Sequence, residues 1–371
     1  MTNEFIPIAA PDLGKAEEEY VLEAIRSTWI SSSGQYVKRF EAMFAEACQV
    51  KTALSICNGT AALHLAVAAL DLQPGDEVIV PSLTYIATAN AVRYAHAIPV
   101  FVDVEPSTWC MDPDLIEAAI TPRTKGIIAV DLYGHPADMD RIKAVARRRG
   151  LWLIEDAAEA HFARYKGRPT GGLADLTVFS FFGNKIVTCG EGGAVTTDDP
   201  VLDKRLRLLR NQGMDPERRY FFPVVGYNYR LTNVACALLC AQLERREQLI
   251  ARRRAIFNRY RNNLQGVAGI GLQPVAEWAE VTPWLFCVTI DEATFGHSRD
   301  EVMALLDRNK IETRPFFIPI HSLPPYVGLS PHAPLPHTDR LAATGINLPT
   351  FTGMSDAQID RICATLTAAK R

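Results

Sequence analysis

Strand-like and helix-like segments alternate through the first two thirds of the chain, and this alternation limits the possible folds more than any other feature. The strand-like segments are residues 53–57, EVIVP, IPVFVDV, GIIAV and LWLIED, and segments with helical apolar spacing separate them. A strand that is apolar along nearly its whole length is typical of a parallel sheet covered on both faces. The pattern therefore predicts an α/β fold with a mostly parallel central sheet.

The alternation of strand-like and helix-like segments ends near residue 231. The composition of residues 232–264 predicts one unbroken helix, long enough to link two domains. A strand follows near residues 284–290, and two capping boxes mark later helix starts, Ser298 with Glu301 and Ser355 with Gln358. We therefore predict a large domain over residues 1–231, with an N-terminal segment able to pack against both domains, and a smaller α+β domain over residues 232–371.

Charge and cysteine usage argue against several classes of protein. A net charge of -3 without long runs of one charge argues against a nucleic-acid partner. The N-terminus lacks the features of a signal peptide and no segment is long and apolar enough to span a membrane, so we expect a cytoplasmic protein. The 8 cysteines are scattered without a C-x-x-C pair, which predicts no metal site and small buried thiols in a reducing compartment.

Two motifs place polar groups where predicted strands end, the usual position of ligands in open α/β sheets. In CNGTAALH a strand runs into Gly59 and Thr60 at the start of a helix, whose free N–H groups could bind an anion. A plain tight turn with Thr60 as the helix cap fits equally. In IEDAAEAH, Asp156 ends an apolar strand and is expected to be partly buried, with either a structural or a functional cationic partner.

A third motif, FSFFGNKIVTCGEGG, places Lys185 between an aromatic strand and a glycine cluster, five residues after Ser180. A lysine at a strand end is usually a solvated charge. One bound cofactor, pyridoxal phosphate (PLP), would however account for a lysine, a buried aspartate and an anion site at adjacent strand ends. Lys185 would form a Schiff base with the aldehyde, Asp156 would keep the ring nitrogen protonated, and the helix N-terminus would bind the phosphate.

Seven segments carry a resemblance to a known family: WISSSG, NGTAALHLA, PGDEVIVPSLTYIATANAV, EDAAEA, FSFFGNKI, GEGG and GYNYRLTN. With these segments the chain resembles, over essentially its whole length, the PLP-dependent nucleotide-sugar aminotransferases of the DegT/StrS type. The resemblance implies the aspartate-aminotransferase-like fold, PLP fold type I. It also implies a homodimer with shared active sites, and possible higher oligomers.

The resemblance implies a role for each matching residue. Lys185 matches the lysine that holds the cofactor and later moves a proton, and Asp156 matches the partner of the ring nitrogen. The other matching positions are Glu159 at the ring hydroxyl, Tyr85 on the ring face, Gly59, Thr60 and Ser180 at the phosphate, and Asn228 reaching the phosphate from the neighbouring subunit.

The resemblance also implies a reaction in two halves. L-glutamate gives its amino group to the cofactor, which becomes pyridoxamine phosphate, and a nucleotide-linked ketosugar then takes the amino group. The segments APDLG, RNQGMDPERRYFFPVVGYNYRLTN and RPFFIPIHSLPPY are most similar to members that aminate C4 of GDP-4-keto-6-deoxy-D-mannose.

Candidate substrate-binding residues carry weaker signals. Arginines suit a nucleotide diphosphate, and the candidates are Arg218, Arg219 and Arg314. Arg230 could bind the glutamate carboxylate or brace a subunit interface. Ser31, Ser32 and His321 lie in segments that border the sugar site in relatives, and His161 either approaches the sugar or has a structural role.

Three alternative functions remain open from the sequence. One is transamination at C4 or C3 of a UDP- or dTDP-linked keto sugar. Another is a 3-dehydratase of the same fold, against which Lys185 argues because a histidine replaces the lysine there. The third, of a different class, is a PLP-binding regulator without catalysis. One position departs from the family pattern, since Phe162 stands where relatives commonly have glycine.

Overall fold

Strands and helices alternate through residues 15–210, as the sequence predicts. The computed structural model describes residues 4–329 and 333–370. The strands are β1 (Thr52–Ile56), β2 (Glu77–Pro81), β3 (Ile98–Val102), β4 (Thr124–Val130), β5 (Trp152–Asp156), β6 (Arg164–Tyr165), β7 (Arg168–Pro169), β8 (Leu176–Ser180) and β9 (Gly193–Thr197). The helices are α1 (Lys15–Arg26), α2 (Gln35–Cys48), α3 (Gly59–Ala68), α4 (Ala87–Tyr94), α5 (Pro113–Ala119), α6 (Met139–Arg149) and α7 (Pro200–Arg210).

A seven-stranded sheet forms the centre of the molecule, in the order β1-β9-β8-β5-β4-β2-β3. Strands β3, β2, β4, β5 and β8 pair in parallel, and β9 runs antiparallel to its neighbours β1 and β8. The predicted α/β class with a mostly parallel sheet is confirmed. Because six strands run in one direction, their carboxyl ends lie along the same edge.

Both faces of this sheet are buried, which accounts for the continuous apolar strands of the sequence. Val78 and Val80 pack into one hydrophobic cluster with α3 and α4. Ile79, between them, packs into another cluster with Ile142 of α6. Successive residues of a strand point to opposite faces, so a strand covered on both sides needs an apolar residue at nearly every position.

The second part of the chain contains a smaller antiparallel sheet. Its strands are β10 (Ile270–Leu272), β12 (Phe286–Ile290), β13 (Arg314–Pro315) and β14 (Gly345–Leu348), in the order β10-β12-β14-β13, while β11 (Ala279–Glu280) pairs with β6. The helices are α8 (Asn233–Glu244), α9 (Arg246–Leu264), α10 (Glu292–Phe295), α11 (Arg299–Arg308), α12 (Pro336–Thr344) and α13 (Asp356–Ala368). Both predicted capping boxes are present, at the starts of α11 and α13.

The prediction of one unbroken helix over residues 232–264 is wrong. The helix is interrupted at Arg245, whose φ of -107° and ψ of 16° leave the helical range. The Arg245 guanidinium binds the carboxylates of Asp12 and Glu17, at 2.8 and 2.7 Å. The break lets α8 pack against α1 and α2 while α9 packs against α13.

The proline-rich segment RPFFIPIHSLPPY returns from the smaller sheet to the carboxyl edge of the central sheet. There the N–H of Ile320 donates to the carbonyl oxygen of Ser82, which follows β2, at 3.0 Å. The Ser82 hydroxyl also lies 2.8 Å from Nδ1 of His321. The second part of the chain therefore borders the strand ends that carry the predicted functional motifs.

The division into domains at residues 231 and 232 stays a prediction. Residues 1–3, 330–332 and 371, which belong to the predicted domains, lie outside the described residues. In the described part of the chain, no helix combines the length and apolar character needed to span a bilayer. Among those same residues, no group of three or more histidines, cysteines or acids is placed to hold a metal ion.

Phe162 shows why glycine suits its position in relatives. Its φ is 62°, in the left-handed region that glycine adopts without strain. The ring is nevertheless buried, and its centre lies 6.2 Å from that of Phe44 in an edge-on arrangement. Aromatic packing therefore offsets the strain of the backbone in this chain.

Replacing Phe162 separates the strain from the packing. Both Phe162→Ala and Phe162→Gly lose the contact with Phe44, but only glycine relieves the strain, so we expect Phe162→Gly to be more stable than Phe162→Ala by about 1 kcal/mol. Urea denaturation measures the difference. At Leu22, in the middle of α1, the order should reverse, with alanine more stable than glycine by about 1 kcal/mol. Equal stability of the two Phe162 variants would contradict this account.

Candidate active site

Lys185 lies in a turn beyond the carboxyl end of β8. Its N–H donates to the carbonyl oxygen of Phe182 at 2.9 Å, and its side chain is only 10% exposed. The Nζ atom lies 3.9 Å from Oε1 of Glu159 and 3.8 Å from the centre of the Trp284 ring. The amine is therefore directed into the protein instead of into solvent.

The surroundings of Lys185 favour its neutral form. Burial lowers the pKa of its amine, and the negative charges of Glu159 and Asp156 partly oppose this effect. A lysine with a lowered pKa has a larger neutral fraction near pH 7, and the neutral amine is the form that acts as nucleophile and base. Burial thus gives Lys185 a larger neutral fraction near pH 7 than an ordinary surface lysine has.

Asp156 ends β5, the neighbour of β8, and it is buried. The Thr88 hydroxyl donates to its Oδ2 at 2.9 Å, and the Ala158 N–H donates to its Oδ1 at 3.2 Å. Burial raises the pKa of Asp156, while these two hydrogen bonds and the charge of Lys185 oppose the rise. A buried carboxylate of this kind favours a cationic group bound beside it.

Glu159 lies between Lys185 and the backbone of Tyr133. Its Oε2 accepts a hydrogen bond of 2.9 Å from the Tyr133 N–H. Burial raises the pKa of Glu159 to about 7, even though the charge of Lys185 lowers it. Its carboxyl group can therefore gain or lose a proton near neutral pH. This carboxyl group lies 3.9 Å from the amine of Lys185.

The start of α3 and the end of β8 form a narrow backbone cradle. Asn58 caps α3 by accepting a hydrogen bond of 2.8 Å from the Ala61 N–H. A Cβ atom on Gly59 would lie 2.7 Å from Cβ of Ser180, and one on Gly193 would lie 2.6 Å from the carbonyl oxygen of Asn58. Thr60 follows Gly59 in the first turn of α3, so the backbone N–H groups at this end can bind an anion.

Tyr85 and Asn228 present polar or aromatic groups at the surface. The Tyr85 side chain is 58% exposed, and its carbonyl oxygen accepts a hydrogen bond from Thr88, the residue that holds Asp156. The Asn228 side chain is exposed, between Tyr227 and Tyr229, whose rings stack on each other at 4.9 Å. Both residues are free to contact a bound molecule or a second chain.

These groups fit pyridoxal phosphate. The cofactor needs an amine for its aldehyde, a carboxylate for its ring nitrogen and N–H donors for its phosphate. The structure brings Lys185 and Asp156 together at adjacent strand ends, and the cradle at Gly59 would be filled by any Cβ.

The WISSSG segment is tied to Arg230. Ser31 is exposed and Ser32 is half-buried, and the carbonyl oxygen of Ser32 accepts a hydrogen bond from the Arg230 guanidinium. Arg230 also donates to Oδ1 of Asn211 at 3.2 Å. Within the described chain Arg230 therefore braces two segments, and binding of glutamate by this residue stays a prediction.

The other candidate substrate residues occupy two separate surface segments. Arg218 and Arg219 are exposed, and their guanidinium groups lie over the rings of Phe221 and Tyr220. Arg314 is half exposed, in β13, with Glu312 3.9 Å from its guanidinium. His321 contacts Ser82 through Nδ1, and its Nε2 lies 3.5 Å from Asp339. Their substrate contacts stay predictions.

His161 requires a correction. Its side chain is fully buried, with its ring 5.6 Å from that of Phe179 and 5.5 Å from that of Phe181. Burial, with a smaller contribution from Lys185, lowers its pKa to about 3, so the ring is neutral. With no exposed surface, His161 offers nothing to a substrate sugar, and the structural interpretation is the one that fits.

Sequence reasoning missed three residues that contact the predicted catalytic groups. Thr88 holds Asp156, Tyr133 holds Glu159, and Trp284 lies against Lys185. Thr88 belongs to the family-like segment SLTYIATANAV, which was a usable signal. Tyr133 follows β4 and Trp284 precedes β12, in other parts of the chain, and only the folded chain places them here.

Comparison with known proteins identifies the family to which the chain belongs. The model of the DegT/DnrJ/EryC1/StrS aminotransferase family matches residues 11–367. The chain belongs to this family. The predicted family resemblance is confirmed.

The aminotransferase is similar to two curated relatives over nearly its whole length. GDP-perosamine synthase of Caulobacter vibrioides is 49% identical, with 97% of each chain covered. GDP-perosamine synthase of Escherichia coli O157:H7 is 44% identical, with 98% of each chain covered.

Solved structures agree on the fold. DesI, determined in the presence of its TDP-sugar product, is 38% identical with a TM-score of 0.93, over 100% of this chain and 94% of its own. The PLP form of the putative sugar aminotransferase Spr1654 from Streptococcus pneumoniae is 31% identical with a TM-score of 0.92, over 99% and 98%. This chain is thus a PLP-dependent sugar aminotransferase, which uses an amino donor and a nucleotide-linked sugar.

The cradle at Gly59 can be tested by adding one methyl group. Gly59→Ala places a Cβ atom 2.7 Å from Ser180, which forces α3 or β8 to shift, so we expect PLP to bind at least about tenfold more weakly. Titration of the unloaded protein, followed by absorbance, measures the affinity. Gly353→Ala is the matched control, because its new Cβ would meet only Phe351 at an ordinary 3.7 Å. Unchanged affinity of Gly59→Ala would show that this cradle does not hold the phosphate.

Proposed function

We propose that this aminotransferase moves the amino group of L-glutamate to C4 of GDP-4-keto-6-deoxy-D-mannose and so forms GDP-perosamine. The observation that carries the proposal is the similarity, at 49% and 44% identity over nearly complete chains, to two enzymes named GDP-perosamine synthase. Such coverage includes both the cofactor motifs and the segments predicted to border the sugar.

We further propose how the chain holds its cofactor. Asp156 would bind the ring nitrogen, Glu159 the ring hydroxyl and Tyr85 the ring face. Gly59, Thr60 and Ser180 would bind the phosphate. When bound, PLP supplies an aldehyde that condenses with amines and a ring that takes up electrons as a substrate C–H bond breaks.

Lys185 is the proposed acid and base. Its buried amine, with a lowered pKa, can accept a proton from one position and return it to another nearby. Glu159, at 3.9 Å, stabilises the charged amine between these transfers. Because the amino donor and the ketosugar would occupy the same site in turn, the kinetics should follow a ping-pong scheme.

Substrate recognition is proposed to use the surface segments around the site. Arg218, Arg219 and Arg314 have exposed guanidinium groups that suit a diphosphate. The remaining proposed contacts come from Ser31, Ser32, His321 and Arg230.

A second candidate differs only in the nucleotide. DesI, whose structure was determined in the presence of its TDP-sugar product, covers all of this chain at 38% identity, which favours a dTDP-linked substrate over a UDP-linked one. The higher identity to the GDP-perosamine synthases places this candidate second.

Product analysis separates the candidates. The protein is incubated with glutamate and a panel of 4-keto sugars linked to GDP, UDP or dTDP, and mass spectrometry identifies the aminated product. We expect turnover of the GDP-mannose derivative at least about a hundredfold faster than of the others, because mismatched polar groups in the nucleotide pocket would be left unpaired. Comparable turnover of a dTDP or UDP sugar would overturn the proposed specificity and leave the reaction type intact.

We also propose that the enzyme acts as a homodimer with shared active sites. Several large apolar side chains are exposed in segments near the candidate site, including Trp29, Ile30 and Val225, the last 91% exposed. Exposed apolar groups of this kind are typical of a surface that contacts a second chain. Asn228 lies three residues after Val225, where it could reach the phosphate of the partner's cofactor.

Mixed dimers test this proposal. Lys185→Ala and Asn228→Ala should each be impaired, but a mixed dimer would contain one site with both residues intact. Equal amounts of the two variants, dissociated and reassociated at limiting PLP, should therefore recover up to about one quarter of wild-type activity. Light scattering confirms that the reassociated chains are dimeric, and an affinity tag on one variant confirms that the other variant is retained with it. No gain over the separate variants would mean that Asn228 serves its own chain.

A further inference from the structure

The ring of Trp284 lies against the amine of Lys185. The Nζ atom is 3.8 Å from the ring centre, and the indole is buried. The indole N–H also donates a hydrogen bond of 2.8 Å to the carbonyl oxygen of Asn184, the residue before the lysine. Trp284 therefore contacts the lysine segment at two points, the amine and the backbone.

A buried arginine, Arg253, donates a hydrogen bond to the backbone of Trp284. The Trp284 carbonyl oxygen accepts a hydrogen bond of 2.8 Å from Nη1 of Arg253, which is only 3% exposed. The same nitrogen lies 3.4 Å from the carbonyl oxygens of Pro283 and Thr350. Burial lowers the pKa of Arg253 to about 10, which leaves it charged at neutral pH. A desolvated guanidinium that depends on backbone carbonyls for partners keeps that backbone in place.

The indole ring is also held by Tyr133. The two rings are nearly parallel, at 19°, with centres 6.3 Å apart. The Tyr133 N–H binds Glu159, which lies 3.9 Å from the same amine. Tyr133 thus contacts both groups that face the lysine amine, and neither can move away independently.

The charged groups around the amine are few. Glu159 and Asp156 attract its positive charge. Burial keeps both His161 and the Tyr133 hydroxyl neutral near pH 7, because it lowers the pKa of the first and raises that of the second. Among the described residues, the face of the indole lies against the amine and is placed, with the two acids, to stabilise its charged form.

We propose that Trp284 is a positioning residue for Lys185, whose indole face binds the protonated amine when the lysine is not joined to cofactor or substrate and keeps it beside Glu159. This inference rests on the proposed function of Lys185. Attraction between a cation and an aromatic face is strongest for tryptophan and for desolvated cations, and both conditions hold here. The indole replaces part of the hydration that burial removes.

The pH dependence of the reactivity of Lys185 tests this proposal. Full-length protein without cofactor is labelled with a trace of acetic anhydride over a range of pH, and mass spectrometry follows the peptide that contains Lys185. The plateau at high pH reports access to the amine, whereas the midpoint reports its protonation. A variant that merely loosens the packing changes the plateau and lets water reach the amine, which leaves the midpoint unchanged or moves it to higher pH, because burial is what lowers the pKa of the amine.

We expect the midpoint to move to lower pH in Trp284→Leu, with an intermediate shift in Trp284→Phe, whose ring attracts cations less strongly. Relative to the plateau, reactivity at pH 7.5 should rise about threefold or more in Trp284→Leu. Trp278→Leu is the control, because Trp278 packs edge-on against His135 and Tyr165 and away from the lysine. Its midpoint should equal that of the wild type.

A midpoint that is unchanged or moves to higher pH in Trp284→Phe and Trp284→Leu would overturn the proposal and leave Trp284 a packing residue. If Trp284→Leu does not fold, Trp284→Phe decides alone, since a wild-type midpoint in that variant contradicts the proposal. The readout does not depend on the sugar or on turnover. Failure of the proposed specificity in the product assay would therefore be distinguishable from failure here.

Discussion

The amine of Lys185 is buried beyond the end of a strand, and the chemistry proposed for this protein depends on that burial. Loss of hydration lowers the pKa of the amine, which gives a neutral fraction able to react. The same loss makes the charged form costly, so Glu159 and Trp284 must lie close to it. Loss of hydration thus accounts both for the reactive neutral fraction of the lysine and for the groups that lie against its amine.

The fold brings the remaining charges to the same edge. Because β5 and β8 are parallel neighbours, Asp156 and the segment that carries Lys185 leave the sheet side by side. The start of α3 meets the end of β8 at Ser180, where the free N–H groups of the first turn of α3 could bind an anion. An anionic phosphate and a cationic ring nitrogen are the two features that these ends accommodate, and PLP has both. The second part of the chain completes the site through Trp284, which Arg253 fixes in place.

Local patterns predicted much of this arrangement. The continuous apolar strands indicated the sheet because burial on both faces favours an apolar residue at nearly every position, and the ends of those strands located Gly59, Asp156 and Lys185. Contacts between distant parts of the chain leave no local sequence pattern from which they could be predicted. Trp284 and Lys185 are far apart in sequence, and the break at Arg245 depends on carboxylates at the other end of the chain. The burial of His161 likewise depends on rings from β8 that no local pattern reveals.

Reduction of the PLP-loaded protein with borohydride, followed by peptide mapping, shows whether Lys185 is the residue that holds the cofactor. Borohydride fixes the bond between the cofactor and the amine that holds it, so the modified residue can be identified by mass. We expect a single pyridoxyl group on Lys185, and none on the other lysines. A pyridoxyl group at another lysine, or none in protein that has bound PLP, would contradict this expectation.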